Sequence, residues 1–542
     1  MRREFIIGSV AILVAVSLLS FIYIHVLWSL ILFVPIICLG LVDYFQTRQT
    51  IRRNYPFIGR ARYLFELIRP EIHQYFVESN SEGVPYSREE RSLVYQRAKK
   101  TLDTLPFGTQ RDVYANGYEW VNHSLRPTHL DPENMRATIG GPDCTQPYDA
   151  SLFSISAMSY GALSRNAVLA LNGGAKDGHF AHNTGEGGIS PYHLKNGGDL
   201  IWQIGTGYFG CRNEDGTFNR ETYQENAQRH EVKMIELKLS QGAKPGHGGI
   251  LPAAKVSQEI SEIRHVPMGK DVISPPGHSA FSTPIELLNF IAELRDLSGG
   301  KPVGFKLCVG KRREFLAICK AMHTTGITPD FIMVDGGEGG TGAAPLEFSN
   351  HVGTPTLDGL IFVHNALVGF SLRDKIKIGA TGKVTTAFGM IKRLSLGADF
   401  VFAARSMMLA LGCIQALKCN TNECPTGVAT QNPNLTAGLV VANKRTRVHM
   451  YHQETIESLA EILGAMGLKC HTDLRPWHIM RRISRTEIKH YGEMFEFLND
   501  GDLLKEPLPK SYARACKAAS PESFRHVEQQ ILPQPSKNNH SA

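Results

Sequence analysis

The ten cysteines of this 542-residue chain show neither even pairing nor the repeated spacing of a disulfide framework. In a chain of this size that excludes a stapled secreted fold and places the catalytic part in a reducing, cytoplasmic compartment. Also missing from the body of the chain is any run of Lys and Arg interleaved with aromatics, so the net charge of +7 does not point to nucleic acid. No Gly-x-Gly-x-x-Gly opens a helix after an early strand, which disfavours a doubly wound open sheet and leaves no visible NADPH-binding fold. Finally, Phe5 to Val42 is thirty-eight residues without a charged side chain unless His25 is protonated.

One bilayer crossing takes about 20 apolar residues, so this run predicts two helices, about 5–24 and 27–44. Tyr23, His25, Trp28 and Ser29 then sit at the far interface, and Pro35 is tolerated inside the second helix. Arg2 and Arg3 precede the run and Arg48, Arg52 and Arg53 follow it, which puts both flanks on the cytoplasmic side of an inner or plasma membrane. The run is too long for a signal core and no small-x-small cleavage site follows it. The expected organisation is a transmembrane hairpin over 1–47, a mainly helical connecting segment over 48–148, a catalytic domain over 149–468, and a helical cap with a disordered tail over 469–542. Tyr63 to Ile68 and Arg88 to Leu102 read as helices of the connecting segment. Its Arg60, Arg62 and Arg69 suit either anionic lipid or an ordinary solvated face.

From Ser151 short apolar runs alternate with helix-like stretches: 152–158, 179–184, 232–239, 272–274, 303–308, 331–335, 375–380 and 400–404. Eight such runs predict an α/β fold, a (β/α)8 TIM barrel, with Leu200 to Gly210 as an extra element. Polar residues gather where the runs end, as a barrel active site requires: Glu186, Lys244, Ser274, Lys306, Gly336 and Gly337, Gly382 and Lys383, Ala404 and Arg405. The loops after runs seven and eight have the small-residue composition that grips phosphate. A flavin across the barrel mouth would place its pyrimidine against Lys306.

Just past the last run, Cys413, Cys419 and Cys424 are spaced C-x5-C-x4-C and followed by Pro425. Thiolates are soft ligands for iron, so the cluster suggests an iron-sulfur site beside the flavin. Buried thiols are one alternative, and a structural zinc with a fourth ligand from Cys470 or His471 is another.

These residues sit in longer motifs: SISAMSYGALS from Ser154, NTGEGG from Asn183, QGAKPGHGG from Gln241, ISPP from Ile273, GGTGAAP from Gly339 and LGC-x5-C-x4-CPTGVATQ from Leu411. Together they resemble the FMN-binding domain of glutamate synthases, in particular the stand-alone, membrane-anchored FMN-binding glutamate synthase family proteins. The resemblance implies FMN, with Ser156, Ala157, Met158 and Ser159 of the first motif among its neighbours, and a 3Fe-4S cluster on the three cysteines. It also implies hydride transfer to 2-iminoglutarate, made from 2-oxoglutarate and ammonia, with Glu186, Gln241, Lys244 and Arg264 at the substrate. Two departures bear on substrate: His247 stands where the family has a carboxylate, and Ile250 where it has an amide.

No glutaminase domain or following β-helix is read in the chain, so nitrogen is expected as free ammonia or from a separate glutaminase. Electrons are expected from ferredoxin or a membrane-borne carrier. The alternatives are a membrane dehydrogenase of an amino or hydroxy acid, running in reverse, and a flavin-carrying membrane scaffold without turnover.

Overall fold

The structure is a computed structural model that describes residues 1–101 and 103–525. It divides into two compact units after Arg88.

In the first unit, helices Arg2–Ser20 and Leu30–Phe45 are joined through a 3-10 turn at Ile24–Ser29. Two segments, Arg2–Ser20 and Ile24–Phe45, are long and apolar enough to cross a membrane. Their outer faces are bare: Phe21 and Ile22 at the turn are 88% and 85% exposed. At the base, Asp43 is buried and paired with Arg52 and, at 2.7 Å, with Arg60, while the Phe57 N-H donates to it at 3.2 Å. A buried carboxylate is tolerated because those donors satisfy it. A further helix, Arg60–Ile72, covers the stretch read as helical from Tyr63.

The second unit is a closed parallel barrel. Its strands are β1 (Phe153–Ile155), β2 (His182–Asn183), β3 (Leu200–Ile204), β4 (Val232–Lys238), β5 (Val303–Cys308), β6 (Phe331–Asp335), β7 (Lys377–Ala380) and β8 (Phe400–Ala403). Each pairs with the next in sequence, and β8 closes onto β1 with Phe402 opposite Ser154.

The eightfold barrel is as expected, with one exchange of strands. Leu200–Ile204 is the third barrel strand rather than an extra element. Val272–Ile273 is not a barrel strand and forms a two-residue antiparallel ladder with Ile250–Leu251. The reason lies in the side chains. Every residue of Leu200–Ile204 is buried, and its polar member, Gln203, finds a carboxylate inside the barrel. Ile273 is 68% exposed, and Pro275 and Pro276 stop the run. Lys244 therefore follows the fourth barrel strand, and Ser274 reaches the mouth from a hairpin.

Strand side chains alternate, so every second residue faces the barrel axis. The lower interior is apolar, with Ile201, Met234, Met333, Phe331, Phe400 and Phe402 in one cluster. Gly379 lacks a side chain because the Phe400 ring and Met333 occupy its place; a Cβ there would lie 2.5 Å from the ring. Towards the strand ends the same alternation brings in Gln203, Glu236, Lys238, Lys306 and Asp335, so the polar layer sits on an apolar floor.

Outside the barrel, Glu119–Val121 joins Ile479–Arg482 and Ile488–His490 in a small antiparallel sheet. The C-terminal segment adds helices Tyr491–Met494 and Lys510–Lys517. The helix expected to Leu102 is observed as Arg88–Lys99. Leu102 itself and the tail from residue 526, which was expected to be disordered, lie outside the described residues.

Candidate active site at the barrel mouth

The polar layer is internally bonded. Asn183 and Gln203 donate to Glu236 Oε1 at 2.9 and 2.6 Å, and burial pushes the Glu236 carboxyl pKa up. Lys306 Nζ lies 3.1 Å from Asp335 Oδ2. The same carboxylate accepts the Gly242 N-H at 3.1 Å and the Gly336 N-H at 3.0 Å, which ties the loops after β4 and β6 to the barrel end. Burial opposes the charge on both members of the pair. Their mutual attraction outweighs it, so Asp335 is held below and Lys306 above its ordinary range. Lys306 is thus a fixed ammonium in the barrel mouth, as the apolar context Val303 to Leu307 predicts.

Above this layer Glu186 collects three cations. Lys238 Nζ is 2.6 Å from its Oε1. Burial raises the Glu186 pKa, but Lys238 first, then Arg264 and Lys244, bring it to a net lowered value. Glycines let this happen: a Cβ on Gly249 would sit 2.7 Å from Glu186 Oε1, and one on Gly187 would sit 2.6 Å from Arg264 Nη2. Lys244 is buried and donates to the Ala343 carbonyl in the GGTGAAP loop at 3.2 Å; burial pushes its pKa down to about 8. Arg264, at the end of helix Gln258–Arg264, donates to the Tyr160 carbonyl at 2.8 Å and lies over the Phe209 ring at 5.1 Å. Its buried Nε has no partner among the described residues, and burial lowers its pKa to about 10. Among the described residues neither Lys244 nor Arg264 forms a close ion pair. One carboxylate therefore serves three buried cations, and the site carries an excess of positive charge that an anionic ligand would neutralise.

The remaining predicted residues surround this cluster. Gln241 immediately precedes Gly242, and Ser274 accepts no barrel-strand position but donates its N-H to Gly249 at 2.9 Å. Ser156 N-H bonds the Ala403 carbonyl at 3.0 Å, joining the ends of β1 and β8, and Gly185 packs on the backbone of Met158 and Ser159, next to Ala157. Gly337 donates to Thr354. After β7, Gly382 has φ +108° and Lys383 φ +48°, a tight turn whose Gly382 carbonyl is held by Arg393. After β8, Ala404 precedes Arg405, which donates to the Glu338 carbonyl at 2.6 Å. Beside it the buried Ser406 hydroxyl lacks a partner among the described residues. An orphaned hydroxyl next to small-residue loops at the ends of β7 and β8 fits a phosphate group.

Lys238 was not singled out from the sequence. Its signal was the spacing Met234, Glu236, Lys238, in which every second residue of β4 faces the axis. His247 Nδ1 lies 3.0 Å from the Gly248 carbonyl with its ring edge-on to Phe348, and Ile250 pairs with Ile273 in the hairpin.

The three cysteines lie past the helix Arg405–Leu411, which ends at Gly412 with φ +107°. Tyr95 hydroxyl donates to the Cys413 carbonyl at 2.7 Å, Gln415 N-H approaches Cys413 Sγ at 3.5 Å, and Gly342 of the GGTGAAP loop packs on Cys419. Burial raises the Cys413 pKa to about 11, and the neighbouring Cys419 and Cys424 add to it. Cys424 is lowered despite its burial, because the Thr426 hydroxyl and the N-H groups of Ala429, Thr426 and Val428 bond to it. Among the described residues no three His, Cys, Asp or Glu side chains are gathered around one ion position. A cluster with three cysteine ligands uses one thiolate per iron and does not require such convergence. The donor set is three mutually interacting thiols, with the Thr426 hydroxyl 3.4 Å from Cys424 Sγ, and soft thiolates of this kind could hold an iron-sulfur cluster.

Comparison with known proteins identifies the family. Residues 112–469 match the family described as the conserved region in glutamate synthase. The chain is 38% identical to the glutamate synthase large subunit-like protein YerD of Bacillus subtilis, over 83% of this chain and 94% of that one. It is 34% identical to the archaeal glutamate synthase (NADPH) of Methanocaldococcus jannaschii, over 59% of this chain and 60% of that one. The ferredoxin-dependent glutamate synthase of Antithamnion is 31% identical over 71% of this chain, which spans only 24% of that protein. Among solved structures, a flavocytochrome b2 double mutant with pyruvate bound aligns over 82% of this chain and 91% of its own, at 12% identity and a TM-score of 0.40. The family match and the relative covered over 94% of its length show that the chain belongs to the glutamate synthase family, a family of oxidoreductases.

Proposed function

We propose that this protein reduces 2-iminoglutarate, formed from 2-oxoglutarate and ammonia, to L-glutamate, using FMN at the barrel mouth. The observation that carries the reading is the uneven charge at the mouth, with Lys238, Lys244 and Arg264 sharing the single carboxylate of Glu186. A dicarboxylate would neutralise the excess, with Lys244 and Arg264 taking its two carboxylates while the Lys238 pair holds Glu186 in place. FMN when bound supplies the hydride for the imine carbon. Lys306, kept protonated by Asp335, would hold the flavin ring end, and Gly382, Lys383, Arg405 and Ser406 would hold its phosphate. Lys244 Nζ carries a proton below about pH 8 and stands beside Glu186, positioned to protonate the nitrogen as hydride reaches the carbon. The dicarboxylate assignment is tested by titrating the oxidised holoprotein and following its flavin spectrum. 2-Oxoglutarate is expected to bind at least about tenfold more tightly than 2-oxobutyrate, the loss of one charge-assisted contact being worth ~1.5–3 kcal/mol. Equal affinities would mean that the two cations do not divide the two carboxylates.

Cys413, Cys419 and Cys424 would hold a 3Fe-4S cluster that relays single electrons from ferredoxin or a membrane-borne carrier; iron and acid-labile sulfide in the anaerobically purified protein are the readout. Nitrogen arrives as free ammonia or from a separate glutaminase. The two apolar helices anchor the protein in the membrane with the barrel on the cytoplasmic side. Full-length protein is then expected in the membrane fraction until detergent is added, and a chain starting near Arg48 is expected to be soluble and to keep its flavin. Full-length protein in the high-speed supernatant would rule out the anchor.

A further inference from the structure

Lys255 closes the 3-10 turn Ala253–Lys255 and is 3% exposed. Its Nζ donates to the Ala429 carbonyl at 2.9 Å and to the Ala162 carbonyl at 3.2 Å, so it joins the loop after β1 to the cysteine stretch. Ala429 lies five residues after Cys424 in the same loop, and Asn422, two residues before Cys424, donates to the Ala254 carbonyl at 3.1 Å. Among the described residues no carboxylate pairs with this ammonium: burial disfavours its charge, and the groups that favour it are Cys419 and Cys424. A buried ammonium without a counter-ion is costly, and carbonyl acceptors do not cancel its charge. Thiolates carrying an anionic cluster would.

We propose that Lys255 is the counter-ion of the iron-sulfur cluster and sets its reduction potential, a reading that rests on the cluster assignment to Cys413, Cys419 and Cys424. One-electron reduction adds one negative charge to the cluster and makes or breaks no bond, so a fixed cation beside it favours the reduced form. Lys255 is a positioning residue in this account and touches neither substrate nor flavin.

The test is a mediated dithionite titration of the anaerobic holoprotein, with the cluster followed by electron paramagnetic resonance and iron and sulfide measured on each sample. Lys255→Met is expected to shift the cluster at least tenfold toward the oxidised form, about 59 mV more negative for a one-electron couple. Lys255→Arg is expected to stay near the wild-type potential. Loss of the cluster from Lys255→Met with retention in Lys255→Arg also supports the proposal, because charge is then what holds it. A Lys255→Met protein with full iron and sulfide and an unchanged potential would overturn it, as would cluster loss in Lys255→Arg. Absence of iron and sulfide from the wild type would instead remove the cluster assignment, and this proposal with it.

Discussion

Lys244→Met is expected to leave a folded protein that turns over at least ~100-fold more slowly in kcat/KM, a loss of about 2.7 kcal/mol of transition-state stabilisation. Lys244 is buried, bonds only the Ala343 carbonyl among the described residues, and lies near Glu186 without pairing with it. Removing its charge therefore orphans no carboxylate, and an apolar chain of similar length fills its volume, so the melting temperature should barely move. Catalysis loses both a charge-assisted contact to substrate and a proton source. The same residue predicts a pH dependence. Burial holds its pKa near 8, so the ammonium is present below that pH and lost above it, and wild-type kcat/KM should fall as pH rises through about 8. Lys244→Arg should keep substrate affinity through its charge yet turn over as slowly as Lys244→Met, because a guanidinium does not give up its proton. A Lys244→Met enzyme of normal activity would remove Lys244 from the site.

Glu186→Gln is expected to fail differently, with lost stability as well as lost turnover. Its carboxylate is the common partner of Lys238, Lys244 and Arg264, and without it three cations face one another in a largely buried site. Breaking a buried pair by removing one member costs about 3–5 kcal/mol; the partial exposure of Glu186 places the expected value at the lower end, ~3 kcal/mol. The sign with pH follows from its depressed folded pKa. Its contribution is full above the ordinary carboxylate range and is lost as pH falls through the folded value, so wild type and Glu186→Gln should converge in stability on acidification. Denaturant unfolding followed downward from pH 7 to below the ordinary carboxylate range measures the convergence. The double variant Glu186→Gln with Lys238→Met should recover part of the loss, since it also removes one of the stranded charges.

Much of this was legible in the sequence, for physical reasons that also mark where legibility ended. The barrel followed from strand-length apolar runs alternating with helical ones, and the loop glycines marked places where backbone or side chains approach closely, as at Gly249 and Gly187. Which short run closes the barrel was not legible. Leu200–Ile204 earns its place through Gln203, whose carboxylate partner Glu236 lies on the next strand, a contact invisible to local pattern. Val272–Ile273 has the same local character and no such partner. Lys238 was missed because a lysine at the end of a strand reads as a solvated terminus unless its alternation with Glu236 is followed inward. Lys255 was missed for a similar reason: an Ala-Ala-Lys turn has no pattern, and its burial is decided by the cysteine loop more than 150 residues later.

Single-turnover reoxidation decides whether the barrel mouth delivers hydride to an imine of a dicarboxylate. The holoprotein is reduced anaerobically with one equivalent of electron pairs and mixed with 2-oxoglutarate and ammonium, while flavin absorbance is followed and the product is analysed. The account predicts reoxidation that requires both compounds, with one L-glutamate formed per flavin reoxidised. A reduced flavin that stays reduced under these conditions, while an amino or hydroxy acid rapidly bleaches the oxidised protein, would contradict it and assign the site to dehydrogenation.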